Sequence, residues 1–301
     1  MDLSIHKKIG EVVSIIIPAY NEESGIGAVL DSLSHEEALK HAEIIVVDDA
    51  STDRTSEVVG KYSNVKLVRH RINKGYGSAV VSGIKESSRE YVFWFDADGQ
   101  HRVVDLLEVA RKMITDDLDY CIGVRTAGSY EEPSRVLGKA ILRFAVKMVA
   151  KRKISDYNSG LRGFKKKIIS KYLPLFPKRF GASTFTSLLM AERDYMGDEV
   201  DIVVVQRVGK SSVKIFTDGF RTLLIILRLV LLFAPLKFWG NVGMLLILSG
   251  GGYGLIKMLL SEERLGFPVF ASLVILLGVQ ALFFGLLSDQ ISAARLESLE
   301  K

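Results

Sequence analysis

The chain has 301 residues, a length that suits about two domains of ordinary size and leaves room for a sizeable buried core. Its 40 Lys and Arg residues exceed its 35 Asp and Glu residues by only five, and the excess is spread along the chain. This balance argues against nucleic acid as a partner. The single cysteine, Cys121, excludes an internal disulfide and a cysteine-based zinc site, and we interpret it as a small buried apolar residue.

The first 217 residues alternate short apolar runs with amphipathic stretches. The runs are rich in β-branched residues and end at turn or charged residues, which predicts strands, whereas the stretches between them have helical spacing. Strict alternation predicts right-handed crossovers and an α/β fold, with a Rossmann-like, mostly parallel sheet covered by helices on both faces. The predicted strands cover residues 12–18, 43–49, 65–70, 91–98 and 118–125, and the predicted helices cover residues 24–33, 52–61, 76–86 and 103–114.

Polar residues follow the predicted strands at the edge of the sheet where such folds bind ligands. Asp49 follows the second strand and Arg125 ends the fifth. Asp96 and Asp98, at the end of the fourth, are two residues apart, so in an extended segment both would point to the same side. A turn at the next residue can bring Gln100 round to them. Oxygen ligands of this kind suit Mg²⁺ or Mn²⁺, which bind carboxylates together with a ligand's phosphates, so the sequence predicts a metal site here. A turn or a helix cap is the alternative for this pair of aspartates.

Residues 218–235 have the pattern of an amphipathic helix. Arg221 and Arg228 are seven residues apart and therefore share one helix face, opposite a broad apolar stripe. A helix of this composition is typical of the membrane interface, and we expect it to lie there.

Two long apolar segments follow. Residues 238–256 and 265–288 carry no charge, and each is long enough to cross a hydrocarbon layer of about 30 Å as a helix. Their short connection predicts a hairpin of two transmembrane helices, at about 238–257 and 265–288 within the region 236–290. Gly250 and Gly254 form a GxxxG motif that allows close helix approach, which keeps a homo-oligomer open as an alternative.

The charges near the predicted spans indicate which side of the membrane the head occupies. The N-terminus is polar and the first apolar run is too short for a signal-peptide core, so we expect the head to stay in the cytoplasm. Arg228 and Lys237 flank the first span, whereas the charges of the connecting loop cancel. We therefore expect a cell-membrane protein with two spans, whose head (1–217) and C-terminal tail (291–301) are both cytoplasmic.

Five motifs occur in order along the head, and together they resemble a known family. They are IIIPAYNEE at 15–23, VVDDASTD at 46–53, NKGYG at 73–77, FDADGQH at 95–101 and SGLRGF at 159–164. This set resembles the inverting family 2 glycosyltransferases, which have a GT-A fold. With its two spans, the chain is more specifically similar to polyprenyl-phosphate glycosyltransferases, the group that includes dolichol-phosphate mannose synthase and bacterial undecaprenyl-phosphate glucosyl- and aminoarabinosyl-transferases.

The resemblance implies a donor site at the strand ends. Acidic side chains there can accept hydrogen bonds from a nucleobase N–H or a ribose hydroxyl. A Mg²⁺ or Mn²⁺ ion on Asp96, Asp98 and Gln100 would neutralise the charge that develops as the nucleotide leaves. We interpret Asp53 instead as the cap of the following helix. The implied nucleotide-binding residues are Pro18, Tyr20, Glu22, Asp49, Lys74, Gly75, Asp96 and Ala97.

The resemblance also implies a cationic site for the acceptor phosphate or the donor diphosphate. Arg135 and Lys139 are four residues apart, so on a helix they share one face and can clamp a phosphate; a solvated helix face is the alternative. An internal ion pair is the alternative for Arg162. Asp98 and Arg125 are the residues assigned to catalysis. The implied phosphate-binding set is Arg125, Arg135, Lys139, Arg162, Arg207 and Lys210.

The implied reaction is inverting transfer of a sugar from a UDP- or GDP-sugar to a polyprenyl phosphate, either dolichyl or undecaprenyl. A phosphate acceptor, with a second pKa of about 6, is mostly ionised at neutral pH and needs no general base, although His101 lies beside the metal motif. Two alternatives are kept. One is a processive polysaccharide synthase, whose usual Q-x-x-R-W signature we do not find in this sequence. The other is a non-catalytic, membrane-anchored sensor of nucleotide-sugars.

Overall fold

A computed structural model of the chain describes residues 9–126, 155–206, 224, 227–260 and 266–299. These residues belong to two compact units, one containing the described residues up to 206 and the other those from 224 onward. The predicted domain boundary after residue 217 lies outside the described residues.

The first unit is built on a seven-stranded sheet in the order β3-β2-β1-β4-β6-β5-β7. Neighbouring strands run parallel in four of the six pairs, and only β6 runs against both of its neighbours. The predicted α/β fold with a mostly parallel sheet is therefore confirmed. The strands are β1 (Val13–Ala19), β2 (Glu43–Asp48), β3 (Val65–Arg69), β4 (Tyr91–Trp94), β5 (Tyr120–Arg125), β6 (Arg162–Lys165) and β7 (Gly197–Ile202).

Helices cover both faces of this sheet. Successive β1 side chains point to opposite faces, so Ile15 and Ile17 join one buried core while Ile16 packs against Gly83 on the other side. Burying each such aliphatic side chain stabilises the fold by about 1.5–3 kcal/mol. The helices of this unit are α1 (Ile26–Ser34), α2 (Thr55–Val59), α3 (Tyr76–Glu86), α4 (Val103–Thr115), α5 (Lys166–Ile169) and α6 (Ala182–Glu192).

Two details of the predicted sheet are corrected by the structure. The fourth strand was expected over 91–98, but β4 ends at Trp94 and residues 95–100 turn away from the sheet. β6 and β7 were not predicted as strands. β6 lies between β4 and β5, so those two consecutive strands are not neighbours. This insertion brings the residues just before β6 to the edge of the sheet where β4 ends.

The second unit contains two long helices, α7 (Pro235–Leu260) and α8 (Val269–Glu297), both long and apolar enough to cross a membrane. Most of their large side chains are exposed; Leu245, Leu248 and Leu259 are 69%, 66% and 83% exposed. An apolar surface of this extent is typical of helices that contact lipid. The second helix extends nine residues beyond the predicted end of the span at Ser288.

Glycines bring α7 and α8 into close contact. A side chain at Gly243 would place its Cβ 2.7 Å from the Gly278 carbonyl oxygen, so the two backbones touch there. Gly250 lies against Ile275 and Ala271 of α8, and Gly254 lies against Phe267. The Gly250–Gly254 motif is thus used inside the hairpin, which removes it as support for a homo-oligomer.

The predicted amphipathic segment at 218–235 lies partly outside the described residues. Residues 227–233 are helical. Arg228 is exposed, whereas Leu229, Val230 and Phe233 are buried within the second unit. The Ser292 hydroxyl of α8 donates to the Leu232 carbonyl. The apolar side of the described part is therefore covered by protein only at some positions, since Leu227 is 38% exposed.

Candidate active site

The carboxylate pair lies in the turn that follows β4. Phe95 N still donates to the Ile16 carbonyl of β1, at 3.0 Å, but Asp96 and Asp98 come after this last sheet contact. The expectation that both side chains project from one extended strand is therefore wrong. Gly99, with φ of +72°, allows the turn because a side chain is unfavourable in that left-handed conformation.

Asp96 is fixed on three sides. Its Oδ1 accepts from the Tyr76 hydroxyl at 3.0 Å, and its Oδ2 lies 3.5 Å from His101 Nε2. Gly160 lies so close that a Cβ there would collide with the Asp96 carboxylate. Burial raises the pKa of the Asp96 carboxyl, but His101, Tyr76 and Arg162 together outweigh it and hold this pKa below its usual range. Asp96 is consequently ionised at neutral pH and held in one orientation.

Asp98 and Gln100 offer oxygen ligands beside it. The Gln100 backbone N–H donates to Asp98 Oδ1 at 3.1 Å, and the Gln100 side-chain Nε2 donates to the Val205 carbonyl at 3.3 Å. With its nitrogen so held, the side-chain oxygen of Gln100 is left as an acceptor. Ala97 is buried between the two aspartates.

This donor set fits a hard divalent cation. Carboxylate and amide oxygens suit Mg²⁺ or Mn²⁺, which complete their shell with water and ligand phosphates. Among the described residues, no group of three or more His, Cys, Asp or Glu side chains could hold a metal ion. Asp96, Asp98 and Gln100 would therefore hold the ion only jointly with phosphate oxygens of a bound ligand.

The structure places Asp49, which was predicted to bind the nucleotide, in contact with the 73–77 loop. Asp49 is 2% exposed, and its Oδ1 accepts from the Lys74 backbone N–H at 2.8 Å and lies 2.6 Å from His70 Nδ1. Its Oδ2 accepts from the Gly75 N–H at 2.6 Å. Buried and bonded in this way, Asp49 anchors the 73–77 loop, and its placement does not support direct contact with a base or ribose. Lys74 and Gly75 were predicted to bind the nucleotide; the Lys74 side chain is exposed, while the backbone N–H groups of both residues donate to Asp49.

The loop after β1 carries the other predicted nucleotide residues. Pro18 is buried opposite Val47 in β2, whereas Tyr20 is 40% exposed at the rim. Glu22 is partly buried, and its backbone N–H donates to Thr55 Oγ1 at 2.9 Å. Among these residues, the Tyr20 ring is the one most open to a ligand.

Asp53 lies one residue before Arg54, which is the N-cap of α2, so the interpretation of Asp53 as the cap is off by one position. Its Oδ1 accepts from the Thr55 backbone N–H at 3.0 Å, and its Oδ2 accepts from the Glu23 N–H at 3.1 Å. Burial raises the pKa of Asp53, but these hydrogen bonds lower it by more. Asp53 thereby joins the loops after β1 and β2.

Arg125, at the end of β5, forms a bidentate ion pair with Asp156, with N···O distances of 2.6 and 2.8 Å. The side chains of Arg125 and Asp156 are only 25% and 12% exposed. Burial raises the pKa of Asp156, but Arg125 and the Asn158 N–H outweigh it and lower this pKa. Asp156 was missed by sequence reasoning because it belongs to none of the five motifs.

Arg162 corrects the predicted set of phosphate ligands. The side chain is fully buried, and its Nε and Nη atoms donate to the Ser159, Tyr157 and Ser183 carbonyls and to two hydroxyls of α6. Its guanidinium carbon also lies 5.6 Å from the centre of the Trp94 ring. Burial lowers the pKa of Arg162 to about 10, so it stays charged at neutral pH. Its donors are taken up by the protein, which makes it a core residue that shapes the 155–160 loop.

The remaining predicted phosphate ligands, Arg135, Lys139, Arg207 and Lys210, lie outside the described residues. Tyr76 and Gly160, by contrast, were not singled out as site residues although both fall within quoted motifs. Their position next to Asp96 depends on loop contacts that no periodicity signals.

Comparisons with known proteins agree with this fold. Residues 14–173 match the model "Glycosyl transferase family 2", and residues 234–294 match the model "GtrB C-terminal hairpin". The second match coincides with the paired helices α7 and α8.

Two named relatives align with more than half of the chain. A UDP-N-acetylglucosamine–dolichyl-phosphate N-acetylglucosaminyltransferase of Methanococcus voltae is 32% identical over 189 residues, covering 54% of this chain and 74% of the relative. An undecaprenyl-phosphate 4-deoxy-4-formamido-L-arabinose transferase of Photorhabdus laumondii is 26% identical over 295 residues, covering 93% and 88%.

Solved structures support the fold. The crystal structure of glucosyl-3-phosphoglycerate synthase from Mycobacterium tuberculosis, in complex with Mn²⁺, UDP-glucose and phosphoglyceric acid, superposes with a TM-score of 0.57 at 19% identity. The superposition covers 74% of this chain and 81% of the other. Since the family 2 model spans more than half of its residues, the chain belongs to glycosyltransferase family 2 and ends in a hairpin of the GtrB type.

Proposed function

We propose that the protein transfers a sugar from a nucleotide-sugar to a polyprenyl phosphate at the membrane, with inversion at the anomeric carbon. One observation carries the proposal: a family 2 fold presents an ionised Asp96 beside Asp98 at its ligand edge, in a chain that continues into a GtrB-type hairpin. The names of the two relatives, which pair a sugar with dolichyl or undecaprenyl phosphate, support the acceptor class.

The donor would lie along the carboxyl ends of β1, β2 and β4. Tyr20 is exposed at the rim, so its ring can stack on the nucleobase, while Pro18 and Glu22 shape the wall behind it. Asp96, Asp98 and Gln100 would hold a Mg²⁺ or Mn²⁺ ion against the donor diphosphate. When bound, such an ion stabilises the negative charge of the leaving nucleoside diphosphate.

The reaction needs one bond made and one broken. An oxygen of the acceptor phosphate attacks the anomeric carbon, and the bond from that carbon to the diphosphate breaks, leaving the nucleoside diphosphate with the electron pair. The acceptor oxygen carries no proton at neutral pH, so no side chain has to remove one. Arg125, oriented by Asp156, would face the acceptor phosphate, together with Arg135, Lys139, Arg207 and Lys210.

The first experiment is a transfer assay with the full chain in detergent. Radiolabelled UDP- and GDP-sugars are each offered with polyprenyl phosphate and Mn²⁺ or Mg²⁺, and the matched controls are unphosphorylated polyprenol and excess EDTA. We expect label in an organic-extractable product with one donor, and none in either control. Label only in a water-soluble or polymeric product would overturn the acceptor assignment and favour a processive synthase, and no product with any donor would favour a sensor.

We also propose that the head and both termini face the cytoplasm. The native Cys121 is buried, and burial raises the pKa of its thiol to about 12, so it gives little background in thiol labelling. Single cysteines at Ser298 and at Gly266 would be treated in intact cells with a membrane-impermeant maleimide. Labelling of Gly266→Cys but not of Ser298→Cys supports the orientation, and the reverse pattern overturns it.

A further inference from the structure

We propose that a buried hydrogen-bond chain of Ser82, His70 and Asp49 positions the 73–77 loop, and through it the Tyr76 hydroxyl that orients Asp96 for metal and nucleotide binding. The proposal rests on the proposed function. It assigns His70 and Tyr76 as positioning residues, since neither is placed to contact the reacting atoms.

The first step is the buried pair of His70 and Asp49. Their side chains are 5% and 3% exposed, and the Nδ1 to Oδ1 distance is 2.6 Å. A carboxylate only accepts hydrogen bonds, so the proton of this bond lies on Nδ1. On its other side, His70 Nε2 lies 2.8 Å from the Ser82 hydroxyl of α3. His70 therefore joins the end of β3 to both α3 and the end of β2.

This trio has the order of a hydrolytic triad, but its surroundings do not suit one. Ser82 lies in the interior of α3, where the backbone N–H groups around it are used by the helix itself. No free pair of N–H groups is therefore left there to stabilise an oxyanion. The trio holds structure in place instead.

The second step passes from Asp49 to the loop. Both carboxylate oxygens of Asp49 hold loop N–H groups, those of Lys74 and Gly75. Gly75 has φ of +94°, and a Cβ there would lie 2.7 Å from Arg179 Cγ, so both conformation and space require glycine. From the other side, the N–H of Gly77 donates to the Arg179 carbonyl at 2.9 Å. The loop is held at both ends, and three of its N–H groups, those of Lys74, Gly75 and Gly77, donate to protein oxygens.

The third step links the 73–77 loop to Asp96 through the Tyr76 side chain. Tyr76 lies between the two clamped glycines, and its hydroxyl donates to Asp96 Oδ1 at 3.0 Å. A carboxylate oxygen can only accept, so the Tyr76 hydroxyl is the donor of this bond. A shift of the loop would move this donor and release Asp96 from one of its contacts.

The test measures binding of Mn²⁺ with UDP, and separately with GDP, to the full chain in detergent by calorimetry. Tyr76→Phe removes the donor to Asp96, and His70→Gln breaks the chain at its first step. We expect each to weaken Mn²⁺-dependent nucleotide binding about 3- to 10-fold, which corresponds to the loss of one hydrogen bond of ordinary net strength. Because both act through Asp96, the double variant should bind no worse than the weaker single variant.

Two matched controls remove similar groups elsewhere. Tyr62→Phe deletes a hydroxyl that donates to Asp31 at 2.8 Å, and Ser87→Ala deletes a buried hydroxyl at the end of α3. Both should bind the nucleotide as the wild type does. Thermal unfolding of every variant separates loss of binding from loss of folding.

The outcomes distinguish this proposal from the proposed function. Multiplicative losses in the double variant, or unchanged binding by His70→Gln, would overturn the chain. A wild type that binds Mn²⁺ and nucleotide but transfers no sugar to polyprenyl phosphate would count against the acceptor assignment and leave the chain supported. A wild type that binds neither nucleotide in the presence of Mn²⁺ would overturn both.

Discussion

Asp156 holds the guanidinium of Arg125 by two parallel hydrogen bonds, Nε to Oδ2 and Nη2 to Oδ1. The Asn158 N–H donates to the same carboxylate at 3.0 Å, so the orientation of the Asp156 side chain is also fixed. Arg125 is thus oriented before any ligand arrives, which lowers the entropy it loses on binding a phosphate.

The first prediction concerns this ion pair. Asp156→Asn keeps the size of the side chain but removes the charge that orients the Arg125 fork, so we expect KM for polyprenyl phosphate to rise about 5- to 10-fold. Asp198→Asn is the control, because it breaks the ion pair between Asp198 of β7 and Lys112 of α4. Asp198 pairs with Cys121 near the start of β5, whereas Arg125 is at its end. An unchanged KM in Asp156→Asn would show that Arg125 needs no orientation by this residue.

The same carboxylate predicts a pH dependence of stability. The pKa of Asp156 is lower in the folded protein, so its ion pair stabilises the fold above about pH 4, the ordinary pKa of an unfolded Asp. This stabilisation is lost as the pH falls through the lower folded-state value. Thermal midpoints of wild type and Asp156→Asn should differ at pH 7 and converge toward pH 3. A constant difference across this range would contradict the assignment.

The third prediction tests the metal ligand. Asp98→Ala should abolish transfer, by at least about 10³-fold, because the ion loses a carboxylate at the point where charge develops. The thermal midpoint should change little, since Asp98 is half-buried in the turn after β4 and lies outside the apolar core. Asp116→Ala, at an exposed helix end, serves as the matched control and should keep full activity. Substantial turnover by Asp98→Ala would remove the metal from the mechanism.

Arg162 offers a test between a structural residue and a phosphate ligand. Arg162→Lys keeps a positive charge, but an ammonium group cannot donate to all the carbonyls and hydroxyls that the Arg162 guanidinium contacts. We therefore expect the free energy of unfolding to fall by about 2–4 kcal/mol. KM for the donor should stay within about twofold for the folded fraction. A stable variant with a strongly raised donor KM would reinstate Arg162 as a phosphate ligand.

The hairpin supplies a prediction with neighbouring residues as variant and control. Gly250→Leu forces a side chain between α7 and α8 and should destabilise the hairpin by about 1–3 kcal/mol, measured as thermal unfolding in detergent. Gly251→Leu places the same side chain where nothing lies within 4 Å and should be nearly neutral. If Gly250→Leu instead changes only the oligomeric state, the motif acts between chains.

The sequence predicted those parts of the fold whose signal is local. β1 to β3 and helices α3 and α4 were found because apolar periodicity marks them. β6 reads RGFK and β7 reads GDEVDI, and neither carries the apolar run that marks a strand. Their place is decided by pairing with β5, a distant contact that a short window does not contain.

The site divides in the same way. The residue types of the metal motif were visible in FDADGQH, whereas the roles of Asp49 and Arg162 were not. Both are charged residues in motifs at the strand ends, which suggested ligands. Burial by loops from other parts of the chain turned them into anchors, and this depends on packing between residues about 20 or more positions apart.

The position of the antiparallel strand β6 between β4 and β5 also limits the order in which the strands can pair. As the chain is synthesised, β1 to β4 can pair with one another once residue 94 is available, but β5 finds no neighbour until β6 arrives about forty residues later. Until then, β4 is an unpaired edge strand. Pairing of β6 with β4 brings Gly160 against Asp96. A chain that has not finished folding therefore lacks the contact between Gly160 and Asp96 that completes the carboxylate site.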